Sequence, residues 1–304
     1  MGPLNRLEEY IEGFHRFSFN EFTRVYTALY PDYEDLENRI EFSLLINPDG
    51  IFSLRFGLFK LYDTKKVASV LGDSGYKISG LGGIMSFAEE FVPEMALGFD
   101  FGEKCPRIKL YLLRLLDNPD FSRDRLRRIN DFCRINDIDS SNLNEEELEN
   151  CYLLGIDFHP ARKSDIKIYT RDERVDFSRI RKYLEDDCIN SEYLKHFVGQ
   201  FSDGALRDVT ISKKYSVDHC GPQGLSVFFE VADTLNQVVE GLIGICVPER
   251  LGEFIEAIRA LETDKPVKYG HIGLTFSGKT RESLCLYFSP SLEETRNEKD
   301  ILSH

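Results

Sequence analysis

The sequence predicts a ten-stranded antiparallel β-barrel wrapped by an outer ring of helices and built from five ααββ repeats, on two observations. The first is an internal recurrence. Strand-like segments SLRFG centred on Arg55, RIKLY on Lys109, DIKIY on Lys167, LSVFF on Val227 and SLCLY on Cys285 follow one another at near-constant steps of 54, 58, 60 and 58. The second is apolar alternation in these segments and in a partner segment before each, the mark of half-buried strands. Three of the partners (ALGFDF, LLGIDF, HIGLTF) share a glycine, at Gly98, Gly155 and Gly273. Ten strands joined by short hairpins run antiparallel, and a sheet of that size curls or closes.

The elements follow in chain order. Amphipathic helical spacing marks 4–17, 122–135, 178–187 and 250–262, and Gly, Pro, Asn and Asp punctuate hairpins at 47–50, 102–106, 159–164 and 277–280. The repeats run at about 4–61, 62–115, 120–171, 176–232 and 233–289, in one domain over 1–304 with a charged tail at 290–304. A hydrophobic fraction of 42% supplies a large core and excludes a disordered chain. The net charge of −14 argues against nucleic acid and anionic membranes as partners, since both need a basic face. No apolar run approaches the roughly 18–20 residues of a membrane helix, and the first residues, MGPLNRLEEYIEGF, lack the apolar core of a signal peptide. The expectation is a soluble, cytoplasmic monomer. Its seven scattered cysteines, with no CxxC pair, read as reduced thiols.

Alternation also assigns the strand faces. The apolar sets Ile40/Phe42/Leu44, Leu54/Phe56/Leu58, Leu97/Phe99/Phe101, Ile108/Leu110/Leu112, Leu154/Ile156/Phe158, Ile166/Ile168 and Leu284/Leu286/Phe288 must meet the apolar stripes of the helices. Their opposite face, carrying Glu41, Ser43, Arg55, Asp100, Lys109, Tyr111, Asp157, Lys167, Tyr169, Cys285 and Tyr287, then lines a polar lumen. In the irregular fourth unit, repeat register assigns Leu225, Val227 and Phe229 inward.

Arg55, Lys109 and Lys167 occupy equivalent positions, so three cations converge at one level. Buried cations need partners. Two readings are open: internal pairing with Asp100 and Asp157 on the partner strands, or an anionic ligand, for which a diphosphate suits three cations and tyrosine hydroxyl donors. The Lys-x-Tyr strands place Tyr111 and Tyr169 directly beside the cations, and Tyr287 takes that position in the last unit. Such rings either pack the interior or shield a carbocation by cation–π attraction.

Five ααββ units with Lys-x-Tyr strands facing a polar lumen resemble the ABBA-type prenyltransferases, the prenyltransferase-barrel family, over about 5–289. The RIEF strand bearing Glu41, followed on the next strand by Arg55, resembles the cyanobactin branch, which prenylates ribosomal peptides. The resemblance implies a prenyltransferase that moves a dimethylallyl or geranyl group from its diphosphate to a side chain of a ribosomal, typically cyclic, peptide by dissociative alkylation inside the barrel. It implies Glu41 as the base for the acceptor, Arg55, Lys109 and Lys167 on the diphosphate, and Tyr111, Tyr169 and Tyr287 as the cation shield. His271, inward with Tyr269 on the ninth strand, joins the diphosphate set, and Val227 and Phe229 bound the prenyl tail. Mg2+ enters as a diphosphate counterion, with no metal ligand assigned to the chain and no DDxxD motif present. A salt bridge from Glu41 to Arg55 is the structural alternative for Glu41. The alternative functions are transfer to a small aromatic acceptor and a non-catalytic barrel for an anionic amphiphile.

GLTFSGKT at 273–280 matches a phosphate-loop pattern. That loop needs a following helix, whereas ESLCLYF continues the alternation, so the match is set aside. The six histidines show no metal-ligand spacing, and no GxSxG elbow is present.

Overall fold

The computed structural model describes residues 19–30, 38–46, 52–73, 78, 80–100, 107–137, 145–158, 164–172, 206–215, 222–231, 267–277 and 280–290. Within these, ten strands close into one antiparallel barrel. They are β1 (Ile40–Ile46), β2 (Phe52–Leu61), β3 (Glu94–Asp100), β4 (Arg107–Leu113), β5 (Cys151–Phe158), β6 (Asp165–Asp172), β7 (Leu206–Tyr215), β8 (Pro222–Val231), β9 (Val267–Ser277) and β10 (Thr280–Pro290). Each pairs with its neighbours in sequence, and β1 closes the ring against β10 with Ser43 opposite Tyr287. Closure removes both sheet edges.

Six helices are described: α1 (Phe19–Leu29), α2 (Thr64–Asp73), α3 (Leu81–Phe91), α4 (Pro119–Arg123), α5 (Arg125–Ile135) and α6 (Glu145–Glu149). Both helices and both strands of the second repeat are therefore described, as α2-α3-β3-β4. The single helix expected over 122–135 is instead α4 and α5. Asn118 caps the earlier start by accepting from the Asp120 and Phe121 amides, Pro119 takes the first helical position, and Asp124 leaves helical geometry between the two. The helices expected at 4–17, 178–187 and 250–262 lie outside the described residues. No described helix is long and apolar enough to cross a membrane.

The core lies between the outer face of the barrel and the helices, as alternation requires. Phe22 on α1 meets Phe56 on β2 edge-on at 5.2 Å, Phe56 stacks on Phe99 at 4.9 Å, and Phe87 on α3 packs on Phe132 of α5 at 4.8 Å. Burying each such side chain contributes about 1.5–3 kcal/mol.

One face assignment is corrected. Leu225, Val227 and Phe229 are buried in this outer core, at 2%, 0% and 1% exposure, so they do not face the lumen. Phe228 and Ser226 do. The register pairs Phe228 with Gly273 and Ser226 with Thr275, whose hydroxyl lies 2.9 Å from that of Ser226. The inward centre of the fourth unit is thus Ser226, midway in the chain between Lys167 and Cys285, which makes the last two repeat steps equal. Neighbouring Phe228 and Phe229 are both apolar, one lining the lumen and one the core, so alternation could not tell them apart.

Candidate active site

The lumen holds a cavity of about 210 Å3 lined by Glu41, Ser43, Arg55, Gly57, Phe59, Gly98, Asp100, Lys109, Tyr111, Leu113, Tyr152, Leu153, Tyr169, Thr210, Phe228, His271 and Tyr287. Its wall carries a belt of four aromatic rings, one each from β4, β6, β8 and β10. Tyr111 lies 6.3 Å from Tyr169, Tyr169 is 5.9 Å from Phe228, and Phe228 is 6.0 Å from Tyr287. The shared glycines make room for it. A Cβ added at Gly98, Gly155 or Gly273 would come within 3.2 Å of Tyr111, 3.0 Å of Tyr169 and 2.7 Å of Phe228 respectively. These three rings therefore lie close against bare backbone on the neighbouring strand. Burial pushes the phenols of Tyr111, Tyr169 and Tyr287 above their usual range, so they remain neutral donors.

The belt is interrupted in the first unit, where Gly57 occupies the ring position. Glu41 stands directly opposite Gly57 in the β1–β2 register. Among the described residues no ion pair or hydrogen bond engages its carboxylate, and desolvation raises its pKa from 4.5 to about 7. The alternative salt bridge to Arg55 is not formed. Arg55 turns to Asp100, with Nε 2.7 Å from Oδ2.

Next to the belt sits a charged floor. Lys109 Nζ lies 3.8 Å from Asp157 Oδ1, and Lys167 Nζ lies 3.3 Å from Asp157 Oδ2. Internal pairing therefore exists: Asp157 pairs with Lys167 within the β5–β6 hairpin, as that reading expects, although in register Lys109 and Lys167 face Gly98 and Gly155. Each carboxylate also stands opposite a cation of the preceding unit, Asp100 opposite Arg55 and Asp157 opposite Lys109. Desolvation, reinforced by the like charges of Lys167 and Arg55, lowers Lys109 to about 7 even with Asp157 beside it. For Lys167 desolvation is the largest influence and pulls downward, but the charge and hydrogen bond of Asp157 together with Tyr111 outweigh it and the pKa is raised. Asp157 is itself buried, yet Lys109, Lys167 and Lys214 hold its carboxyl well below the usual range. Lys167 joins the site through Asp157 rather than by lining the cavity.

Three expected residues, His271, Val227 and Phe229, are placed differently. His271 lines the cavity, but it stands to Cys285 in the last unit as Glu41 stands to Arg55 in the first, so its register matches Glu41 and not the cations. The side chain of Tyr269 lies outside the described residues, while Val227 and Phe229 face the core. Sequence reasoning missed Phe228, Lys214 and Tyr152. A bulge between Cys151 and Leu153 turns Tyr152 toward the cavity, where its hydroxyl lies 3.0 Å from Thr210 Oγ1. Phe59 enters beside Gly57 with its carbonyl accepting from the Tyr30 hydroxyl and its amide donating to the Arg39 carbonyl.

No protein-family model matches the chain, and no curated protein matches it in sequence. Among solved structures, it is similar over 94% of its length to 6-dimethylallyltryptophan synthase from Micromonospora olivasterospora, in complex with DMASPP and Trp. The TM-score is 0.72 at 14% identity, over 95% of that chain. The fold is the prenyltransferase barrel. A 5-dimethylallyl tryptophan synthase from Streptomyces coelicolor, also in complex with DMASPP and Trp, gives a TM-score of 0.69 at 13% identity over 97% of this chain and 94% of that one. The prenyltransferase PriB, in a binary complex with product diphosphate, gives 0.62 at 13% identity over 84% and 80%. At these identities the shared feature is the prenyltransferase barrel itself.

Proposed function

We propose that the chain is a prenyltransferase that moves a dimethylallyl group from its diphosphate to an aromatic acceptor inside the barrel. The observation that carries this is the layering of one lumen: cations of the floor, then a belt of aromatic faces, then the Glu41 carboxylate, unpartnered among the described residues, at the break in the belt. Arg55 and Lys109 receive the diphosphate as the allylic C–O bond breaks and its electron pair leaves with that group. Such preorganised charge is often the largest catalytic contribution. Tyr111, Tyr169, Phe228 and Tyr287 surround the allyl cation, each ring contributing about 0.5–2 kcal/mol of cation–π attraction. The acceptor's electrons form the new C–C or heteroatom bond, and Glu41 takes the displaced proton.

Two acceptors have support. The Glu41 strand, set just ahead of the Arg55 strand as in the cyanobactin resemblance, favours a peptide side chain, and this is the acceptor we propose. The tryptophan bound by the two synthases of this fold favours the free amino acid. Offering both to the enzyme with dimethylallyl diphosphate, and weighing each by mass spectrometry, separates them: modification of tryptophan alone would remove the peptide reading.

Asp100 and Asp157 already answer Arg55, Lys109 and Lys167, and no three metal-ligating side chains converge among the described residues. These residues fit Mg2+ only as a counterion travelling on the diphosphate, where it would share in neutralising the leaving group.

Two expected results arise from the same geometry. At pH 8 Lys109 is mostly neutral in the free protein, and a diphosphate beside it favours the ammonium. Pyrophosphate binding therefore takes up protons at pH 8 and weakens as pH rises from 7 to 9. Calorimetry in Tris and in HEPES reads that uptake, and Lys109→Met should show less of it; equal uptake in both proteins would exclude Lys109. The second concerns donor length. Phe228→Ala removes the belt ring that carries no hydroxyl, and should shift preference toward geranyl diphosphate by about tenfold. Unchanged selectivity would place the end of the prenyl pocket elsewhere.

A further inference from the structure

The strand register repeats one charged contact between successive units and then inverts it. Arg55 faces Asp100 across β2–β3, and Lys109 faces Asp157 across β4–β5. At the next equivalent place, across β6–β7, Lys167 faces Lys214. Like charges directly opposite in a sheet are destabilising. Lys167 pairs with Asp157 at 3.3 Å and Lys214 with Asp165 at 3.6 Å, two carboxylates that stand opposite each other across β5–β6. Asp165 is 1% exposed and Lys214 about a third exposed at 34%, so the lysine is the partner with room to move. On its other side Lys214 faces Gly224, which adds no side chain to fill that room. Counting these groups, four cations meet three carboxylates. The fourth unit also carries Ser226 where the first three carry their second-strand cation, so Lys214 supplies the charge that unit otherwise lacks.

We propose that Lys167 and Lys214 together seat the terminal phosphate of the donor diphosphate, with Lys214 exchanging Asp165 for a phosphate oxygen on binding. This rests on the prenyl-diphosphate reading above and deepens it. The phosphate bonded to the allylic carbon must lie beside the belt, where Arg55 and Lys109 line the cavity. The terminal phosphate then extends beyond that wall, toward the two lysines that do not line it. A multiply charged phosphate between them replaces the repulsion with two charge-assisted contacts.

The test is calorimetric titration of the full chain with inorganic pyrophosphate and with dimethylallyl monophosphate, alongside thermal melts. Lys214→Gln should weaken pyrophosphate by roughly 10- to 100-fold and leave the monophosphate unchanged, with Tm lowered because buried Asp165 loses its ion partner. Lys214→Arg should keep pyrophosphate within a few-fold. Lys213→Gln, on the outward face of the same strand, should bind as wild type. Pyrophosphate affinity unaffected by Lys214→Gln, an equal loss in Lys213→Gln, or a loss in Lys214→Arg as large as in Lys214→Gln would each overturn the assignment. If Arg55→Gln abolishes pyrophosphate binding while Lys214→Gln does not, only this proposal fails. Absence of pyrophosphate binding in the wild type would remove the prenyl-diphosphate reading itself.

Discussion

Glu41→Gln lowers prenyl transfer by about 10²- to 10⁴-fold, the usual range for loss of a positioned base, and leaves pyrophosphate binding intact. The amide keeps the shape of the side chain but cannot take the proton. The pH dependence carries the signature. Glu41 must be ionised to act, so with saturating donor kcat falls as pH drops below about 7, and this limb disappears in the variant. Stability separates this role from a structural one. The folded pKa lies above the ordinary 4.5, so ionised Glu41 costs stability above pH 7, a cost that fades as pH falls from 7 toward 4.5. Glu41→Gln should therefore melt no lower than wild type at pH 8. A variant that melts well below wild type and loses pyrophosphate binding as well would point to Glu41 as a structural residue.

Asp157→Asn has the largest expected effect on stability. Asp157 lies between Lys109 and Lys167, at 3.8 and 3.3 Å, with its side chain 15% exposed. Removing the charge leaves the enclosed Lys167 ammonium without its counterion and pushes Lys109, already lowered to about 7, further toward its neutral form, for which about 3–5 kcal/mol is expected. The folded pKa of Asp157 is depressed, so its contribution is fully present above the unfolded value and is lost as pH falls through that value toward the folded one. Urea unfolding at pH 7 and again near pH 2 should show a large deficit that shrinks in acid. Saturating pyrophosphate should restore part of it at pH 7, since the ligand supplies the missing negative charge. A deficit independent of both pH and pyrophosphate would mean that Asp157 acts through packing.

The barrel was legible in the chain because its strands obey period two and recur at a near-constant interval, two signals that survive low similarity. Glu41, Arg55, Lys109, Tyr111 and Tyr287 could be read because each is a polar residue flanked by apolar neighbours, and Tyr169 because it follows Lys167 in the repeated Lys-x-Tyr pattern. The same rule failed at Phe228. A belt ring needs an aromatic face and no polar atom, so it looks like core from the chain alone. The glycines at 98, 155 and 273 were visible as a repeat, but their reason, room for a ring from the adjoining strand, exists only in the closed sheet. Partnership of the charges was legible only in part. Hairpin logic joins Asp157 to Lys167, as found, but also Asp100 to Lys109, whereas the register places Asp100 opposite Arg55 and leaves Gly98 opposite Lys109. Once each second-strand cation is read against the residue opposite it in the next unit, the Lys167–Lys214 exception stands out. Tyr152 reaches the cavity through a bulge that alternation does not predict.

The most direct test of the central claim is intact-mass analysis of acceptors incubated with the full chain and dimethylallyl diphosphate. The panel holds L-tryptophan and linear and cyclic peptides bearing tryptophan or tyrosine, with Glu41→Gln in parallel. The expected result is a gain of one dimethylallyl group on an acceptor, with release of pyrophosphate, and no gain in the parallel reaction. No gain on any acceptor, together with no calorimetric binding of dimethylallyl diphosphate, would contradict the assignment of the lumen as a prenyl-transfer site.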